Sequence, residues 1–520
     1  MINKVGNLNV TSLQNQRNQL VAKLNGSNVG QAANNQSVLA SVPFTTQRAY
    51  LSNVNFGNSS VESSDSNIKL TFLNCPDVKT LSEKYGGFLQ KDIEDLKGRV
   101  GNEGQFLNWI GALQTEELSK KGVDLLQVDQ LKRIDEIYNI AETVKQQGGK
   151  GKLGIIGIGG SQHTVECLLS LYGLENKISY LACIDPDGMK TFLDRLGKPE
   201  DTNIMVVSKS GTTLEPSEGY NYVEKEYIKH FTDKIAKEKG IFSSIKHRLG
   251  FSDKNIEAEA KEEVRKHFIG ISDKSDKSST LRKHINEKKY LSGIIHDDCG
   301  GRYGAFDDHV LVALAYCGLK KGDMKKMLEA SLKAQQKFLS SNIENNPAAQ
   351  KAMFNVEQIN SGKPNMRNYY FADRFRGALL WNYQLTSESL KSQCKSVDYV
   401  GPGFLHYATE SDLDPANTNS CYNIITMSND RSPKYKPYNA TNTGVIKAYS
   451  KQHPVIHEEM KDFSPESIAE FVEMNYLTTI YTGMLLRSSK GEAHPDVLPE
   501  VLQPYVEVYK KEVKTALKEN

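Results

Sequence analysis

From residue 153 onward, short apolar runs alternate with helix-like stretches along the chain. The runs at 153–158, 178–184 and Asn203–Val207 have the length and apolar character of buried parallel strands. Stretches at 162–172 and 188–196 separate these runs and predict helices. Because strands and helices alternate, the pattern predicts a doubly wound parallel sheet that binds its ligands at the carboxyl ends of its strands.

The same pattern predicts further elements on both sides of this region. Helices are expected over 92–125, 131–144, 280–289, 324–340, 370–390, 465–486 and 505–517, and strands over 268–271, 397–400 and 422–427. The lysine- and glutamate-rich stretch 224–266 predicts an exposed helix with a charged loop. A chain of 520 residues exceeds what one core usually serves, so we expect two large lobes.

The N-terminal stretch differs from the rest of the chain. Residues 1–65 are rich in Asn, Gln and Ser and contain no acidic residue before Glu62, which predicts a disordered or loosely attached tail. An organelle transit peptide also lacks acids, but Arg17 and Arg48 are the only arginines here, which disfavours that interpretation. The expected domains are a helical segment packing on the large domain, a first α/β domain, and a second α/β domain with the C-terminal helices. Their predicted bounds are 66–125, 126–320 and 321–520.

The composition limits which binding partners and which cellular compartment are expected for the protein. Lys and Arg number 65 against 63 Asp and Glu, and this formal charge of +2 gives no reason to expect nucleic acid or an anionic membrane as a partner. No apolar run approaches the roughly 18 residues of a membrane span, so a soluble protein is expected. The seven cysteines are scattered without CxxC spacing, which suits a reducing compartment such as the cytoplasm and implies neither a disulfide framework nor a zinc site.

Two loops that follow predicted strands carry groups suited to binding phosphate. Asn203–Val207 runs into SKSGTT at 208–213, and the strand at 153–158 runs into Gly159, Gly160 and Ser161, with Ser161 placed as a helix N-cap. Hydroxyls, backbone N–H groups and a helix N-terminus together favour a phosphate. Ser, Thr and Gly also form ordinary turns. Because both loops fall at carboxyl ends of neighbouring strands, the phosphate interpretation is favoured.

Several separated motifs together resemble the phosphoglucose isomerase family. They are GIGGS at 157–161, SKSGTT at 208–213, GGRY at 300–303, QLTSESL at 384–390, Gly401-Pro402 followed by His406, and QPYVEVYK at 503–510. The first two resemble the sugar-phosphate-binding loops of the sugar isomerase (SIS) domain. One such loop alone would be weak evidence for an isomerase, because SIS domains also occur in binding proteins. The ordered set covers nearly the whole chain apart from the tail.

The resemblance implies a fold and an activity. The fold would be two doubly wound, parallel-sheet α/β sandwich domains of SIS type, with the site in the cleft between them. The activity would be the reversible interconversion of glucose 6-phosphate and fructose 6-phosphate in glycolysis and gluconeogenesis, with neither a metal nor an organic cofactor. Members of the family are generally homodimers, so the resemblance further implies a dimer in which His406 completes the partner's site.

The resemblance also assigns roles to individual residues. Glu388 would transfer the proton through a cis-enediol and Arg302 would stabilise the oxyanion, while His406 and Lys510 would serve ring opening. Histidine suits that role because it titrates near neutral pH. The substrate-binding residues would be Gly160, Ser161, Ser208, Lys209, Ser210, Thr213, Gly301, Gln384 and Gln503. Without the motifs, Glu388 would be an exposed helix carboxylate and Arg302 a surface ion pair.

The chain departs from the family pattern at several positions, which marks a divergent member. Gly304 stands where Ser is usual, Lys391 directly follows Glu-Ser-Leu where Gly-Lys is common, and Phe404-Leu405 replaces a polar pair. The loop before Gln503 is longer than usual, and Tyr505 replaces a glycine. Two alternatives stay open: a catalytically weak, sugar-phosphate-binding regulatory protein, and an isomerase that also accepts mannose 6-phosphate.

Overall fold

The computed structural model describes residues 59–61, 66–239, 254–428 and 435–519, and within these ranges it contains two β-sheets flanked by helices. The strands are β1 Ser59–Val61, β2 Ile68–Leu73, β3 Leu153–Ile156, β4 Ile178–Leu181, β5 Asn203–Val207, β6 Phe268–Ser272, β7 Leu291–Ile294, β8 Asn365–Tyr370, β9 Lys395–Val400, β10 Ser420–Met427 and β11 Val455–Met460.

Most helices lie between these strands, and the last two follow β11. They are α1 Val78–Arg99, α2 Glu116–Lys120, α3 Leu126–Gln147, α4 Gly160–Tyr172, α5 Pro186–Leu196, α6 Leu214–Glu238, α7 Lys254–Arg265, α8 Thr280–Lys288, α9 Asp308–Cys317, α10 Lys321–Phe338, α11 Pro347–Asn360, α12 Ala378–Leu390, α13 Thr409–Asp412, α14 Lys436–Ser450, α15 Pro465–Ser488 and α16 Pro504–Glu519. None of the described helices is long and apolar enough to cross a membrane.

The first sheet is five-stranded and entirely parallel, in the order β4-β3-β5-β6-β7. Successive residues of β5 face opposite sides, as the pleat requires. Ile204 and Val206 pack in one apolar cluster, and Met205 and Val207 pack in another. Because helices cover both faces, every residue of β5 is buried, which explains its continuous apolar run.

The second sheet is six-stranded, in the order β1-β2-β11-β10-β8-β9. Strands β8 to β11 pair in parallel, whereas β2 runs antiparallel to β11 and β1 runs antiparallel to β2. The prediction of two largely parallel α/β sheets is therefore confirmed, with one addition. The region 66–125, predicted to be helical, also contributes β2 to this sheet.

A buried helix lies at the centre of the core. Residues of α15 from Ser467 to Leu486 are all buried, as is expected of a helix surrounded by other elements. This helix packs against α1, α10, α11 and α12. It thereby connects the N-terminal helix to α12, which carries Glu388.

Several predicted elements differ from the structure. The helix predicted over 370–390 begins only at Ala378, because β8 ends at Tyr370 and a connection with the 3₁₀ turn Asp373–Phe375 lies between the two elements. The helix expected over 92–125 ends at Arg99 and is followed by turns and the short α2. Strands β2, β7, β8 and β11 were not predicted. The predicted tail lies outside the described residues except for β1, and the charged loop expected within 224–266 also falls largely outside them.

Candidate active site

The two hydroxyl-bearing loops lie at the same edge of the first sheet. Strands β3 and β5 are parallel neighbours, with Ile156 opposite Val206, so their carboxyl ends lie together. Residues 157–161 follow β3 and residues 208–213 follow β5. This is the relationship that the sequence predicted for the two loops.

The first loop closely contacts the turn that carries Arg302. A Cβ atom added to Gly160 would lie 2.3 Å from the carbonyl carbon of Gly301, which leaves no room for a side chain. Helix α4 begins at Gly160 with Gly159 as its N-cap residue, so the predicted N-cap role of Ser161 is wrong and Ser161 lies inside the first turn. Gly159 has a φ of 60°, a value that glycine adopts without strain. Gly160 and Gly301 are thus adjacent through their backbones.

The Arg302 guanidinium is buried and held by several acceptors, so it is not the surface ion pair that the sequence left as an alternative. Its Nε donates to Ser389 Oγ at 2.9 Å. Its Nη2 donates to the carbonyl oxygens of Glu500 at 2.6 Å and Leu502 at 3.3 Å. Its Nη1 lies 3.1 Å from Glu388 Oε1. The guanidinium is therefore fixed in one orientation beside a carboxylate.

Glu388 and Gln384 lie one helical turn apart on α12, and their side chains meet. Gln384 Nε2 donates to Glu388 Oε2 at 2.9 Å, while Glu388 Oε1 faces Arg302. Gln384 Nε2 also lies 3.1 Å from where a Cβ of Gly159 would stand. Gln384 Oε1 is buried and has no hydrogen-bond partner among the described residues. Glu388, Gln384 and Arg302 form one group beside the first loop, which we call the carboxylate–arginine cluster.

The second loop is held in shape by its own hydrogen bonds. Gly211 N donates to Ser208 Oγ at 3.1 Å, and the hydroxyls of Ser210 and Thr212 are 2.9 Å apart. Gly211 has a φ of 69°, and a Cβ there would lie 2.3 Å from Leu281 N, so only glycine fits. Thr213 is the N-cap residue of α6. The loop thus presents its hydroxyls at a helix N-terminus.

A cavity of about 330 Å³ separates this loop from the C-terminal helix. Ser210 and Thr213 line it from the loop, and Lys510 and Lys514 line it from α16. Glu215 and several apolar side chains also line it, so a small anion placed in this cavity would meet a carboxylate as well as hydroxyls and ammonium groups. The structure therefore brings Lys510 to the second loop, although the two are far apart in the sequence.

The remaining candidates occupy less central positions. The Lys209 side chain is exposed, and its carbonyl oxygen accepts from Asp273 N at 3.3 Å and Ser272 Oγ at 3.1 Å. Gln503 is exposed immediately before α16. His406 is exposed at the end of the 3₁₀ turn Pro402–His406. Within the described ranges, no hydrogen bond or ion pair joins its ring to the carboxylate–arginine cluster.

Some residues that shape the site were not predicted. Ser389 carried a signal, because it stands inside the QLTSESL motif. Glu500 and Leu502 carried none, because they act through backbone carbonyl oxygens. His309 is buried beside the first loop, where its Nε2 lies 3.1 Å from Thr164 Oγ1, and burial lowers its pKa to about 4. In the part of the chain that the structure describes, no group of three or more His, Cys, Asp or Glu side chains could hold a metal ion.

Comparison with known proteins identifies similar chains named for one activity. The protein is 25% identical over 292 residues to a glucose-6-phosphate isomerase of Mycoplasmoides gallisepticum, an alignment that covers 54% of this chain and 56% of that protein. It is 24% identical over 345 residues to one of Staphylococcus saprophyticus, with 62% and 64% covered. It is 28% identical over 334 residues to one of Alkaliphilus metalliredigens, with 61% of each covered. The matched region spans about three fifths of these relatives' length.

Solved structures share the fold. A hypothetical protein of Thermus thermophilus superposes with a TM-score of 0.67 at 18% identity, covering 86% of this chain and 99% of that one. A glucose-6-phosphate isomerase of Chlamydia trachomatis superposes with a TM-score of 0.66 at 15% identity, covering 88% and 89%. No protein-family model matches the chain. At these identities the two structures establish that the α/β fold is common to all three chains.

Proposed function

Because this chain is a divergent relative of the glucose-6-phosphate isomerases, we propose that it is an aldose–ketose isomerase that interconverts glucose 6-phosphate and fructose 6-phosphate. The observation that carries the proposal is the carboxylate–arginine cluster. It places a carboxylate and a buried guanidinium 3.1 Å apart, beside the first of two hydroxyl-bearing loops that follow neighbouring strands. Such a reaction needs a base beside a weakly acidic C–H bond and positive charge beside the developing oxyanion.

The cluster supports a division of roles in the proton transfer. Glu388 removes the proton from one carbon of the open-chain sugar and returns it to the neighbouring carbon, through a cis-enediol. Arg302 stabilises the oxyanion, and it needs no reorganisation because four acceptors already fix its guanidinium. Gln384 borders the sugar, and its Oε1, which has no hydrogen-bond partner among the described residues, is suited to accept from a sugar hydroxyl.

The second loop and the cavity support a place for the phosphate. Ser208, Ser210 and Thr213, with the backbone of Lys209 and the N-terminus of α6, form a phosphate-binding edge. Ser161 and the backbones of Gly160 and Gly301 line the side towards the cluster. Hydroxyls and N–H groups bind a dianion without a heavy positive charge that would retain the product.

His406 and Lys510 catalyse ring opening, and the position of His406 makes activity depend on dimer formation. Lys510 lies against the second loop, whereas His406 is exposed, and among the described residues no hydrogen bond or ion pair joins it to the cluster. We therefore place His406 in the site of a second copy, so that the active form is a homodimer. Gln503 borders the same site from the root of α16.

The proposal also includes a reducing cellular compartment for the protein. All seven cysteines are free thiols, and six of them are buried, which suits a reducing compartment. We assign the protein to the cytoplasm and to glycolysis and gluconeogenesis on this basis and on the names of its relatives. The proposed proton transfer through a cis-enediol requires neither a metal nor an organic cofactor.

A coupled assay of the purified protein tests the proposal. Fructose 6-phosphate is supplied, glucose 6-phosphate is detected, and parallel reactions contain a chelator or mannose 6-phosphate. We expect turnover that a chelator leaves unchanged and that Glu388→Gln abolishes. Glu83→Gln, an exposed carboxylate on α1, is the matched control and should retain full activity. Binding of fructose 6-phosphate without turnover would instead support a sugar-phosphate-binding regulator.

A further inference from the structure

Lys391 holds an unusual backbone conformation at the end of α12. It has a φ of 56° and a ψ of −127°, a combination that glycine adopts freely and other residues adopt only under strain. Strain of this kind persists where surrounding contacts impose it, and it clusters at functional sites. The position is three residues beyond Glu388, so the strained backbone lies next to the carboxylate–arginine cluster.

The side chain of Lys391 makes two hydrogen bonds that glycine, the residue best suited to this backbone conformation, could not make. Its Nζ donates to the carbonyl oxygen of Pro499 at 2.6 Å and to that of Ser389 at 3.3 Å. The side chain is half-buried, and burial together with the neighbouring Arg302 charge lowers the pKa of its ammonium group. A glycine would relieve the backbone, but it could not reach Pro499.

Lys391 and Arg302 bind the same stretch of chain. Residues 499–502, which we call the carbonyl segment, offer Pro499 O to Lys391, and Glu500 O and Leu502 O to Arg302. The Glu500 carboxylate is held separately by Arg487, with contacts of 2.6 and 3.0 Å. Three cations thus bind the segment at four positions, three carbonyl oxygens and one carboxylate, so the loss of one contact loosens it without releasing it.

The carbonyl segment positions two parts of the proposed site. It supplies two of the acceptors that orient the Arg302 guanidinium. It also runs directly into Gln503 and then into α16, which carries Lys510. A displacement of the segment would therefore move Arg302 relative to Glu388, and Lys510 relative to the second loop.

We propose that Lys391 is a positioning residue that anchors the carbonyl segment and so fixes Arg302 and the C-terminal helix for catalysis. This inference rests on the proposed isomerase function for its catalytic part, whereas the anchoring can be measured without activity. Lys391 touches no reacting atom in this scheme; it acts through the segment. The cost of its strained backbone is offset by this contact.

Hydrogen–deuterium exchange tests the anchoring. In the segment, Val501 N donates to Leu498 O, and Leu502 N donates to Pro499 O, so their amides report its opening. We expect exchange over 499–510 to be about tenfold faster in Lys391→Met and Lys391→Gly than in the wild type. Lys395→Met removes a nearby exposed lysine and should exchange as the wild type does. Unchanged exchange in both Lys391 variants overturns the anchoring, whether or not the protein is an isomerase.

Kinetics test the positioning role. Misplacement of a catalytic group by about 1 Å can cost about 100-fold in rate, so we expect kcat to fall 10- to 100-fold in both Lys391 variants with KM changed less than about threefold. Lys391→Gly should unfold at a higher temperature than Lys391→Met, because glycine relieves the backbone, and yet be equally slow. Either of two results overturns the positioning role. One is faster exchange with an unchanged kcat. The other is a higher activity in Lys391→Gly than in Lys391→Met that parallels its higher stability. If the wild type shows no turnover, the proposed function fails and exchange alone decides the anchoring.

Discussion

Nη1 of Arg302 lies 3.1 Å from Oε1 of Glu388, and the arginine that makes this contact is almost fully buried. The pair joins a 3₁₀ turn next to the first sheet with a helix that leads into the second sheet. Its geometry is fixed from both sides, by Gln384 on the carboxylate and by backbone carbonyl oxygens on the guanidinium.

Replacing Arg302 with lysine should be severe although the charge is kept. A lysine ammonium is a single donor point that cannot reach Ser389, two carbonyl oxygens and Glu388 together. We expect kcat/KM to fall about 100- to 1000-fold. Steady-state kinetics of Arg302→Lys beside Arg376→Lys, an exposed arginine, would measure this. A rate within tenfold of the wild type would contradict the assigned role.

Gly160→Ala should disrupt the contact between the two glycine turns. The added Cβ would lie 2.3 Å from the Gly301 carbonyl carbon, so one of the two backbones must shift. We expect the apparent melting temperature to drop by about 2–5 °C and activity to fall with it. Gly87→Ala is the matched control, because nothing lies within 4 Å of its added Cβ and α1 should gain slightly in stability. Equal melting curves for both variants would exclude the close approach.

Glu473→Gln should make the stability less dependent on pH. Glu473 is fully buried on α15, where it accepts from Ser331 Oγ at 2.6 Å and Gln127 Nε2 at 3.1 Å, and burial raises its pKa from 4.5 to about 8. Because the pKa is raised in the folded state, Glu473 is protonated in both states below about pH 4.5 and its ionisation then costs no stability. As pH rises from 4.5 towards 8, the free energy of unfolding decreases.

The variant should therefore match the wild type near pH 4.5 and exceed it by about 3 kcal/mol at pH 7. Thermal unfolding of both proteins across this pH range measures the difference. Glu83→Gln, an exposed carboxylate, should show no such divergence. A constant difference between Glu473→Gln and the wild type at all pH values would contradict the raised pKa.

Mixing two inactive variants tests whether His406 acts in a second copy. Subunits of His406→Ala and Glu388→Gln are unfolded together and refolded, so that half of the dimers contain one of each. If His406 completes the partner's site, each mixed dimer has one intact site and about a quarter of the wild-type activity returns. If His406 serves its own chain, the mixture stays as inactive as its components.

The parts of the fold that the sequence predicted are those with a continuous local signal. Strand β5 matches its predicted bounds because an apolar run between turn residues specifies a strand buried on both faces. Strand β11 was missed because it contains Glu458, a carboxylate whose charge is met by Lys351 from α11. Strand β2 was missed because it pairs with β11, far away in the sequence. The domain bounds near 125 and 320 stay predictions.

The same distinction applies to the candidate site: residues within a local sequence motif could be predicted, and residues that act through distant contacts could not. Motif residues such as Glu388 and Arg302 could be named from the sequence, because their neighbours carry a pattern. The acceptors that orient Arg302 are carbonyl oxygens, which every residue has, so Glu500 and Leu502 gave no signal. The unusual placement of Lys391 directly after QLTSESL was visible, but its contact with Pro499 depends on a distant part of the chain.

Proton exchange with solvent tests the central claim most directly. The proposed cis-enediol, formed with Glu388 as the base, exposes the transferred proton to exchange. The purified protein is incubated with fructose 6-phosphate in deuterium oxide over many turnovers, and NMR follows the hydrogen at carbon 2 of the glucose 6-phosphate formed. We predict that this position gains solvent deuterium with the wild type and not with Glu388→Gln. Isomerisation that leaves carbon 2 free of deuterium, or equal exchange in the variant, would contradict the account.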